Sequence, residues 1–278
     1  MIIEAMSLNK SKGVSTPAEE EKAWEEEANN EELGTEKATT FRRIAARANY
    51  LAADWPDLMY SVKEIRRHMA KPTMRGWKQI KRLARYLKVN PRTILEYPWQ
   101  SREKEIEGFS DSDWAGCKRS GKSTSGGVIK IGEHLIKAWS KTQASVTLSS
   151  AEAELVAMCK LAAEMIGIGS LAADLGRDMK ITMYADSSAA IAIAKRRGSG
   201  KLRHINIGLL WIQETTEAEE VIIKKVQGIS NLADMMTKSV NKEKLDRYME
   251  MTKQETAEGR AKESLRVKRS AKEGEALV

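Results

Sequence analysis

The sequence is poor in the residues that define several classes of protein. It has 278 residues but two cysteines, Cys117 and Cys159, and three histidines. With no Cys–His cluster beside either cysteine, a disulfide framework and structural zinc are both disfavoured. No apolar run approaches the length of a membrane span, and Met1–Met6 lacks the basic start and long apolar core of a signal peptide. We therefore expect an intracellular protein, cytoplasmic or nuclear, without a membrane partner.

Charge, in contrast, is abundant and unevenly distributed. The chain has 47 Lys and Arg against 39 Asp and Glu, a net charge of +8. Residues 18–36 hold nine glutamates and one lysine, residues 37–104 hold seventeen basic and five acidic residues, and residues 241–278 hold ten basic and eight acidic residues. A polyanion is the expected partner of the basic segment. This composition predicts an acidic linker or partly disordered lead (1–36), a small helical basic module (37–104) and a charged tail, flexible or helical (241–278).

The basic segment contains a predicted amphipathic helix from Met74 to Lys88. Its apolar positions recur at helical spacing, and four basic residues repeat on the opposite side. The apolar set is Trp77, Ile80, Ala84 and Leu87, and the basic set is Arg75, Lys78, Arg82 and Arg85. A solvated face would normally mix charges of both signs, and no acid occurs from 71 to 92. The pattern favours contact with nucleic acid, and a merely solvated face is the alternative.

A predicted hairpin, Gly108–Ile131, is the stretch around which residues 105–240 are organised. Strands at Phe109–Trp114 and Val128–Ile131 flank a polar loop that contains Gly116, Gly121, Gly126 and Gly127. Because side chains alternate along a strand, Asp111 and Asp113 lie on one face. Asp is uncommon in strands, so this face indicates either a solvated edge strand or a cation site.

A helix is predicted to begin at Ser149. Ser149 and Glu152 have the spacing of a capping box, and apolar residues continue at helical spacing toward Leu171. Glu152 therefore has a structural role at the cap. Geometry alone does not choose between Glu152 and Glu154 as the functional acid; the cap argument weakly favours Glu154.

Two further acids follow predicted strands. Asp186 lies between a strand, Lys180–Asp186, and a helix that Ser187 can cap; a ligand role and a capping role are equally open to Asp186. Another strand, Glu220–Val226, precedes a short helix over Ser230–Lys238, which carries Asp234 in its first turn.

Six motifs in this order resemble the ribonuclease H domain of copia-type retrotransposon polyproteins. Upstream motifs are similar to the end of the reverse transcriptase of the same polyproteins, its thumb and connection. The resemblance implies an α/β fold over 105–240, with a mixed sheet of about five strands and helices on both faces. The six motifs are Phe109–Gly116, Lys122–Gly126, Trp139–Gln143, Leu148–Glu154, Ala185–Ile191 and Asn231–Lys238, and the upstream ones include Lys12–Pro17, Trp55–Asp57 and Lys81–Lys88.

The resemblance also implies a set of functional residues. Asp111, Glu154, Asp186 and Asp234 are the implied catalytic residues and ligands of two Mg²⁺ ions, with Mn²⁺ as an alternative. The implied substrate is an RNA–DNA hybrid, and Ser187 joins the four basic residues of the helix as a nucleic-acid contact. Asp113 would be a supporting acid, and the partners would be a polymerase domain or another product of the polyprotein.

Two departures from the family pattern limit the expected activity. No Asp-Asp pair occurs, so a polymerase centre is not expected, and Val226–Ser230 lacks the histidine that many ribonucleases H carry there. The favoured function is metal-dependent endonucleolytic hydrolysis of the RNA strand of a hybrid. The alternatives are a non-catalytic, degenerate or domesticated fragment that binds nucleic acid, and a different nuclease or integrase of the same fold.

Overall fold

A computed structural model describes residues 2–20, 31–200, 204, 207–259 and 261 of the chain. Its helices are α1 (Ile2–Ala5), α2 (Thr35–Ala52), α3 (Met59–Arg66), α4 (Met74–Val89), α5 (Ser150–Asp174), α6 (Ser188–Lys195), α7 (Trp211–Glu217), α8 (Asp234–Thr237) and α9 (Lys242–Met251). Its strands are β1 (Arg92–Leu95), β2 (Glu105–Cys117), β3 (Lys122–Ile131), β4 (His134–Thr142), β5 (Lys180–Ala185), β6 (Ile222–Lys225) and β7 (Gln254–Ala257).

Five of these strands form one mixed sheet in the order β4-β3-β2-β5-β6. The first three strands are antiparallel, and β5 and β6 continue the sheet in parallel with β2. Ile106 of β2 packs with Leu161 of α5 in one core, whereas Val128 of β3 packs with Met236 of α8 in another. Because successive strand residues point to opposite faces, these cores lie on the two sides of the sheet. The predicted α/β class and the mixed five-stranded sheet with helices on both faces are confirmed.

The hairpin at the centre of this sheet is longer than the sequence predicts. β2 extends to Cys117 and β3 begins at Lys122, so most of the predicted loop is strand. Ser123, Thr124 and Ser125 are buried in β3, although their polarity had indicated a loop. Each is satisfied by a side chain from another segment: Ser123 contacts Thr147, Thr124 accepts from Lys63, and Ser125 accepts from Gln143.

A separate core joins the N-terminal helices. Phe41 and Ile44 of α2, Leu58, Val62 of α3 and Leu83 of α4 are buried together. Two parts of the chain that were predicted to be linker or tail contribute to it. They are Ile2 and Leu8 from the lead, and Leu245 and Met249 from α9.

The charged tail predicted from residue 241 is therefore folded over its first part. α9 lies in this core, and β7 pairs antiparallel with β1, so that Leu95 lies opposite Gln254. The apolar residues of α9 recur at helical spacing, and Asn241 caps the helix by accepting from the amide of Lys244 at 2.9 Å. Residues 262–278 of the predicted tail lie outside the described residues.

One helix has the length and apolar character of a membrane span. Among the described residues, this is α5, by length and composition only. Its buried residues Leu155, Met158 and Met165 pack against the central sheet. The apolar run is therefore accounted for by the packing of a core helix.

Candidate active site

Three carboxylates meet at one end of the central strands. One oxygen from each of Asp111, Asp186 and Asp234 lies within 4.8 Å of the other two. The register of the sheet explains the first two: Ser110 of β2 lies opposite Ala185 of β5, so Asp111 and Asp186 follow directly from paired residues of parallel strands. This is the edge of an α/β sheet at which ligands bind.

The third carboxylate is brought to this edge by the close approach of α8. Asp111 lies opposite Gly126 of β3. A Cβ atom at Gly126 would lie 2.7 Å from side-chain atoms of both Met236 and Thr237, so the absence of a side chain is what admits the helix. The side-chain amide of Asn231 also holds the start of α8 against β2, because its Nδ2 donates to the carbonyl of Ser110 at 2.9 Å.

Two carboxylates of the cluster, those of Asp111 and Asp234, have partners that orient them. The Thr237 hydroxyl donates to Asp111 Oδ2, and the Tyr248 hydroxyl donates to Asp234 Oδ2 at 3.4 Å. Lys238 Nζ lies 2.9 Å from Asp234 Oδ1 and 3.9 Å from Asp111 Oδ2. Thr237, Lys238 and Tyr248 were not among the predicted site residues, although the first two fall inside the quoted motif that ends at Lys238.

Glu154 lies beside the three aspartates without belonging to the tightest group. Its Oε1 accepts from the backbone amide of Ser112 at 3.3 Å, and its buried Oε2 has no hydrogen-bond partner among the described residues. Burial, and then the charges of Asp111 and Asp186, raise the pKa of Glu154 to about 9. A buried oxygen without a partner beside other acids fits a cation ligand.

The electrostatics of Asp111 reflect the same crowding. Burial raises the pKa of Asp111 to about 6; Lys238 opposes the increase, and Asp234 and Asp186 add to it. For Lys238, partial burial would lower the pKa, but the charges of Asp111, Asp234 and Asp186 raise it above its ordinary value. The arrangement is a concentration of negative charge with a single ammonium group in contact with two of its members.

Glu152 faces the start of α5, as the capping box predicts. Its backbone amide donates to Ser149 Oγ at 3.2 Å, and its Oε2 accepts from the amide of Leu148 at 2.8 Å. His204 Nε2 lies 3.2 Å from the same oxygen. Glu152 thus points to the helix cap, whereas Glu154, two residues later on the same helix, points to the aspartate cluster.

The capping role that the sequence left open to Asp186 is taken by its neighbour. Ser187 is the N-cap of α6, since its hydroxyl accepts from the amide of Ala190 at 3.2 Å, which leaves Asp186 free for the cluster.

Asp113 is only partly buried, and burial raises its pKa while Lys63 and Lys238 oppose this. Lys63 belongs to α3 and donates to Thr124 at 2.7 Å, a contact that no pattern in the sequence predicts.

The basic face of α4 is partly covered by the N-terminal segment. Arg82 forms an ion pair with Glu19 and donates to Thr16 Oγ1 at 2.9 Å. Arg85 Nε donates to the carbonyl of Lys12 at 2.6 Å. Of the four basic residues of α4 that were predicted to contact nucleic acid, Lys78 is exposed, and the other three are partly buried.

A cleft of about 650 Å³ extends along this face to Lys238, whose ammonium group contacts Asp234 and Asp111 of the acid cluster. The N-terminal segment, α3 and α4 form one side, and the β2–β3 hairpin and the residues after α8 form the other. Five cations line it, and Glu19, Glu20, Glu64 and Asp113 supply the acids. The cations are Arg75, Lys78, Arg82, Lys118 and Lys238.

No family model matches the chain. The retrovirus-related Pol polyprotein from transposon RE2 of Arabidopsis thaliana is 30% identical over 207 residues, which are 73% of this chain and 14% of that protein. The corresponding polyprotein from transposon TNT 1-94 of Nicotiana tabacum is 29% identical over 198 residues, 70% of this chain and 15% of that protein. The chain thus spans about one seventh of these relatives.

Solved ribonuclease H structures are similar to about half of the chain. LC11-RNase H1, isolated from compost, has a TM-score of 0.38 at 16% identity and covers 52% of this chain and 99% of its own. The structure of LC11-RNase H1 in complex with an RNA/DNA hybrid has a TM-score of 0.33 at 15% identity and covers 52% of this chain and 99% of its own.

Proposed function

Because the chain belongs to the copia-type retrotransposon Pol polyproteins, of which it spans about 14%, we propose that it hydrolyses the RNA strand of RNA–DNA hybrids in a metal-dependent reaction. The observation that carries this proposal is the convergence of Asp111, Asp186 and Asp234 within 4.8 Å, with Glu154 beside them. Three aspartates from separate segments seldom share one site without a cation, because like charges at this separation repel.

The donor set suits a hard divalent ion. Asp111, Glu154, Asp186 and Asp234 would hold it, since carboxylate oxygens are the ligands that Mg²⁺ prefers; Mn²⁺ accepts the same ligands. We propose two Mg²⁺ ions, which when bound would activate the attacking water and stabilise the charge on the leaving oxygen.

The remaining groups of the site orient these ligands. Thr237 directs Asp111, Tyr248 directs Asp234, and the amide of Ser112 directs Glu154. With a pKa of about 9, Glu154 carries a proton at neutral pH in the metal-free protein. Ionisation of Glu154 on cation binding would release that proton, so binding should strengthen as the pH rises.

The cleft is the proposed path of the nucleic acid. Its cations, Arg75, Lys78 and Arg82 among them, would contact phosphates and so position the hybrid without reading its sequence. Arg85 of α4 and Ser187, the N-cap of α6, are proposed as further contacts of the hybrid. Residues 37–104 would be the end of a reverse transcriptase, with a polymerase domain or another product of the polyprotein as partner.

A cleavage assay on a panel of labelled substrates tests the proposal. With Mg²⁺ or Mn²⁺ the RNA strand of a hybrid should be cut, whereas RNA and DNA duplexes should remain intact and EDTA should stop the reaction. Asp186→Asn should reduce cleavage about 100-fold or more, a loss of about 3 kcal/mol of transition-state stabilisation. Hybrid binding without cleavage would instead support the non-catalytic alternative, and cleavage by the Asp186→Asn protein would exclude the proposed mechanism.

A further inference from the structure

Lys238 places a positive charge where the carboxylate cluster would hold a cation. Its Nζ lies 2.9 Å from Asp234 Oδ1 and 3.9 Å from Asp111 Oδ2. Both acids are buried, with side-chain exposures of 6%, whereas the side chain of Lys238 is 48% exposed. The ammonium group therefore reaches from the surface toward two buried charges.

The local structure of α8 explains this placement. The helix is a single turn that begins at Asp234, and Lys238 follows it as the C-cap residue. A spacing of four residues puts the ammonium on the side of the helix that carries Asp234. The preceding residue, Thr237, donates to Asp111. One turn of helix thus supplies a ligand, a hydroxyl donor and a counter-charge to the same cluster.

A divalent ion and this ammonium group would compete for the same oxygen atoms. A cation shared by Asp111, Asp186 and Asp234 requires oxygens that already lie within 4.8 Å of one another. Asp234 Oδ1 is in contact with Lys238, and two positive charges a few ångströms apart repel. Binding of the ion therefore requires that Lys238 moves away.

The side chain has room for this movement. Lys238 lines the 650 Å³ cleft, together with Asp113 and Lys118. A lysine has a flexible four-carbon stem and a compact charge, so it exchanges partners readily.

We propose that Lys238 is a positioning residue that acts as the counter-cation of the metal-free cluster and is displaced by the incoming metal ion. This inference rests on the proposed function, because it takes the cluster to be a metal site. In the metal-free protein the ammonium group holds Asp111 and Asp234 together against their repulsion. On metal binding it leaves Asp234 and turns into the cleft.

The test compares Lys238→Gln and Lys238→Arg with a matched control, Lys242→Gln. Lys242 forms an ion pair with Asp246 at the same four-residue spacing, and neither residue contacts the cluster. Mn²⁺ affinity is measured by calorimetric titration, and Tm is measured in EDTA for each protein.

Lys238→Gln should bind Mn²⁺ about threefold to tenfold more tightly than the unsubstituted chain, because the competing charge is gone. Its Tm in EDTA should fall by about 2–4 °C, since the acids lose their counter-charge. Lys238→Arg should retain the Tm, and Lys242→Gln should change neither quantity. Unchanged or weaker Mn²⁺ binding by Lys238→Gln, or an equal fall in Tm for Lys242→Gln, would overturn the inference.

A further variant separates this inference from the proposed function. Asp186→Asn removes a proposed ligand whose charge acts on Lys238 without an ion pair between the two side chains, and it should bind Mn²⁺ at least about tenfold more weakly. If the unsubstituted chain binds no Mn²⁺, the proposed function fails and the inference fails with it. If Asp186→Asn weakens binding but Lys238→Gln does not strengthen it, the inference alone is wrong.

Discussion

Burial and immediate neighbours determine the role of each acid in this protein. Glu152 and Glu154 are both buried, with 8% of each residue exposed, yet one oxygen of Glu152 accepts from the Leu148 amide and one of Glu154 is unpaired among the described residues. A carboxylate that accepts a backbone hydrogen bond at a helix start has a sufficient structural reason to be there. Glu154 accepts only the 3.3 Å hydrogen bond from the Ser112 amide, which is a weaker structural reason for its position. Cation binding, as proposed above, explains that position better.

Asp57 shows the same effect away from the cluster. It is buried in the short turn before α3, where its carboxylate accepts from the Tyr86 hydroxyl at 2.6 Å and from the side-chain amide of Gln254. Burial raises the pKa of Asp57 to about 6, although both hydrogen bonds oppose the increase. Protonation of Asp57 therefore favours the folded state: that contribution is complete below pH of about 4 and disappears as the pH rises through 6.

Asp57→Asn should consequently affect stability in a pH-dependent way. Relative to that of the unsubstituted chain, the free energy of unfolding of the variant should be about 1–2 kcal/mol higher at pH 8 than at pH 4.5, since the variant removes a charge that is present in the buried site only at high pH. Urea unfolding of both proteins at the two pH values measures the difference. An equal effect of the substitution at pH 4.5 and pH 8 would contradict the raised pKa.

At the scale of whole elements, patterns with a helical period were predictable and buried polar strands were not. The apolar stripe of Ile80, Ala84 and Leu87 predicts α4, which the structure places at Met74–Val89. The segment from Lys122 to Gly127 predicts a loop, because serine, threonine and glycine dominate it. It is a strand since Lys63, Gln143 and Thr147 supply partners from distant segments, and such partners cannot be read from the local sequence.

The basic face of α4 was predictable as a pattern, but its partners were not. Its cations were all expected to face nucleic acid, yet Arg82 and Arg85 hold the N-terminal segment. Apart from the motif Lys12–Pro17, the segment 9–19 has no strong pattern of its own. Its position is determined by hydrogen bonds to its backbone carbonyls and by one ion pair, which a sequence does not display.

Two double variants separate binding from stability on this helix. Arg75→Gln with Lys78→Gln should weaken binding of the hybrid in EDTA and reduce the slope of log affinity against log salt by about 1–2, because these residues line the cleft. Arg82→Gln with Arg85→Gln should in addition lower the free energy of unfolding, by about 1 kcal/mol, because Arg82 and Arg85 also hold the N-terminal segment. Lys137→Gln, whose lysine pairs with Glu164 outside the cleft, is the control.

Binding titrations at three salt concentrations and urea unfolding provide both measurements. If Arg75→Gln with Lys78→Gln leaves the salt slope unchanged, the cleft is not the path of the nucleic acid.

At the scale of the whole molecule, the candidate site depends on segments that are far apart in the sequence. Tyr248 of α9 donates to Asp234, Lys63 of α3 donates to Thr124, and Lys130 Nζ donates to the carbonyl of Met251 at 2.8 Å. The helical module and the segment 242–257 thus contact the sheet domain on several sides, and 105–240 is a less separate unit than its composition suggests.

The order of elements in 105–240 could be predicted, because its strands and helices carry recognisable patterns. The assignment of Asp111, Glu154, Asp186 and Asp234 as metal ligands stays a prediction. The pairing of the segment Gln254–Ala257 with the rest of the chain could not be predicted. Gln254–Ala257 has no apolar run, and its pairing with Arg92–Leu95 joins residues about 160 positions apart. Long-range pairing of this kind is determined by the tertiary structure rather than by the propensity of the local residues.

The choice of acids is tested most directly by one cleavage measurement on two matched variants. Glu154→Gln and Glu152→Gln differ by two positions on α5, and each removes one ionisable carboxyl group and retains the shape of the side chain. With a labelled RNA–DNA hybrid and Mg²⁺, Glu154→Gln should lower the cleavage rate about 100-fold or more, whereas Glu152→Gln should stay within about threefold of the unsubstituted chain. Loss of cleavage in Glu152→Gln with full activity in Glu154→Gln would contradict the account.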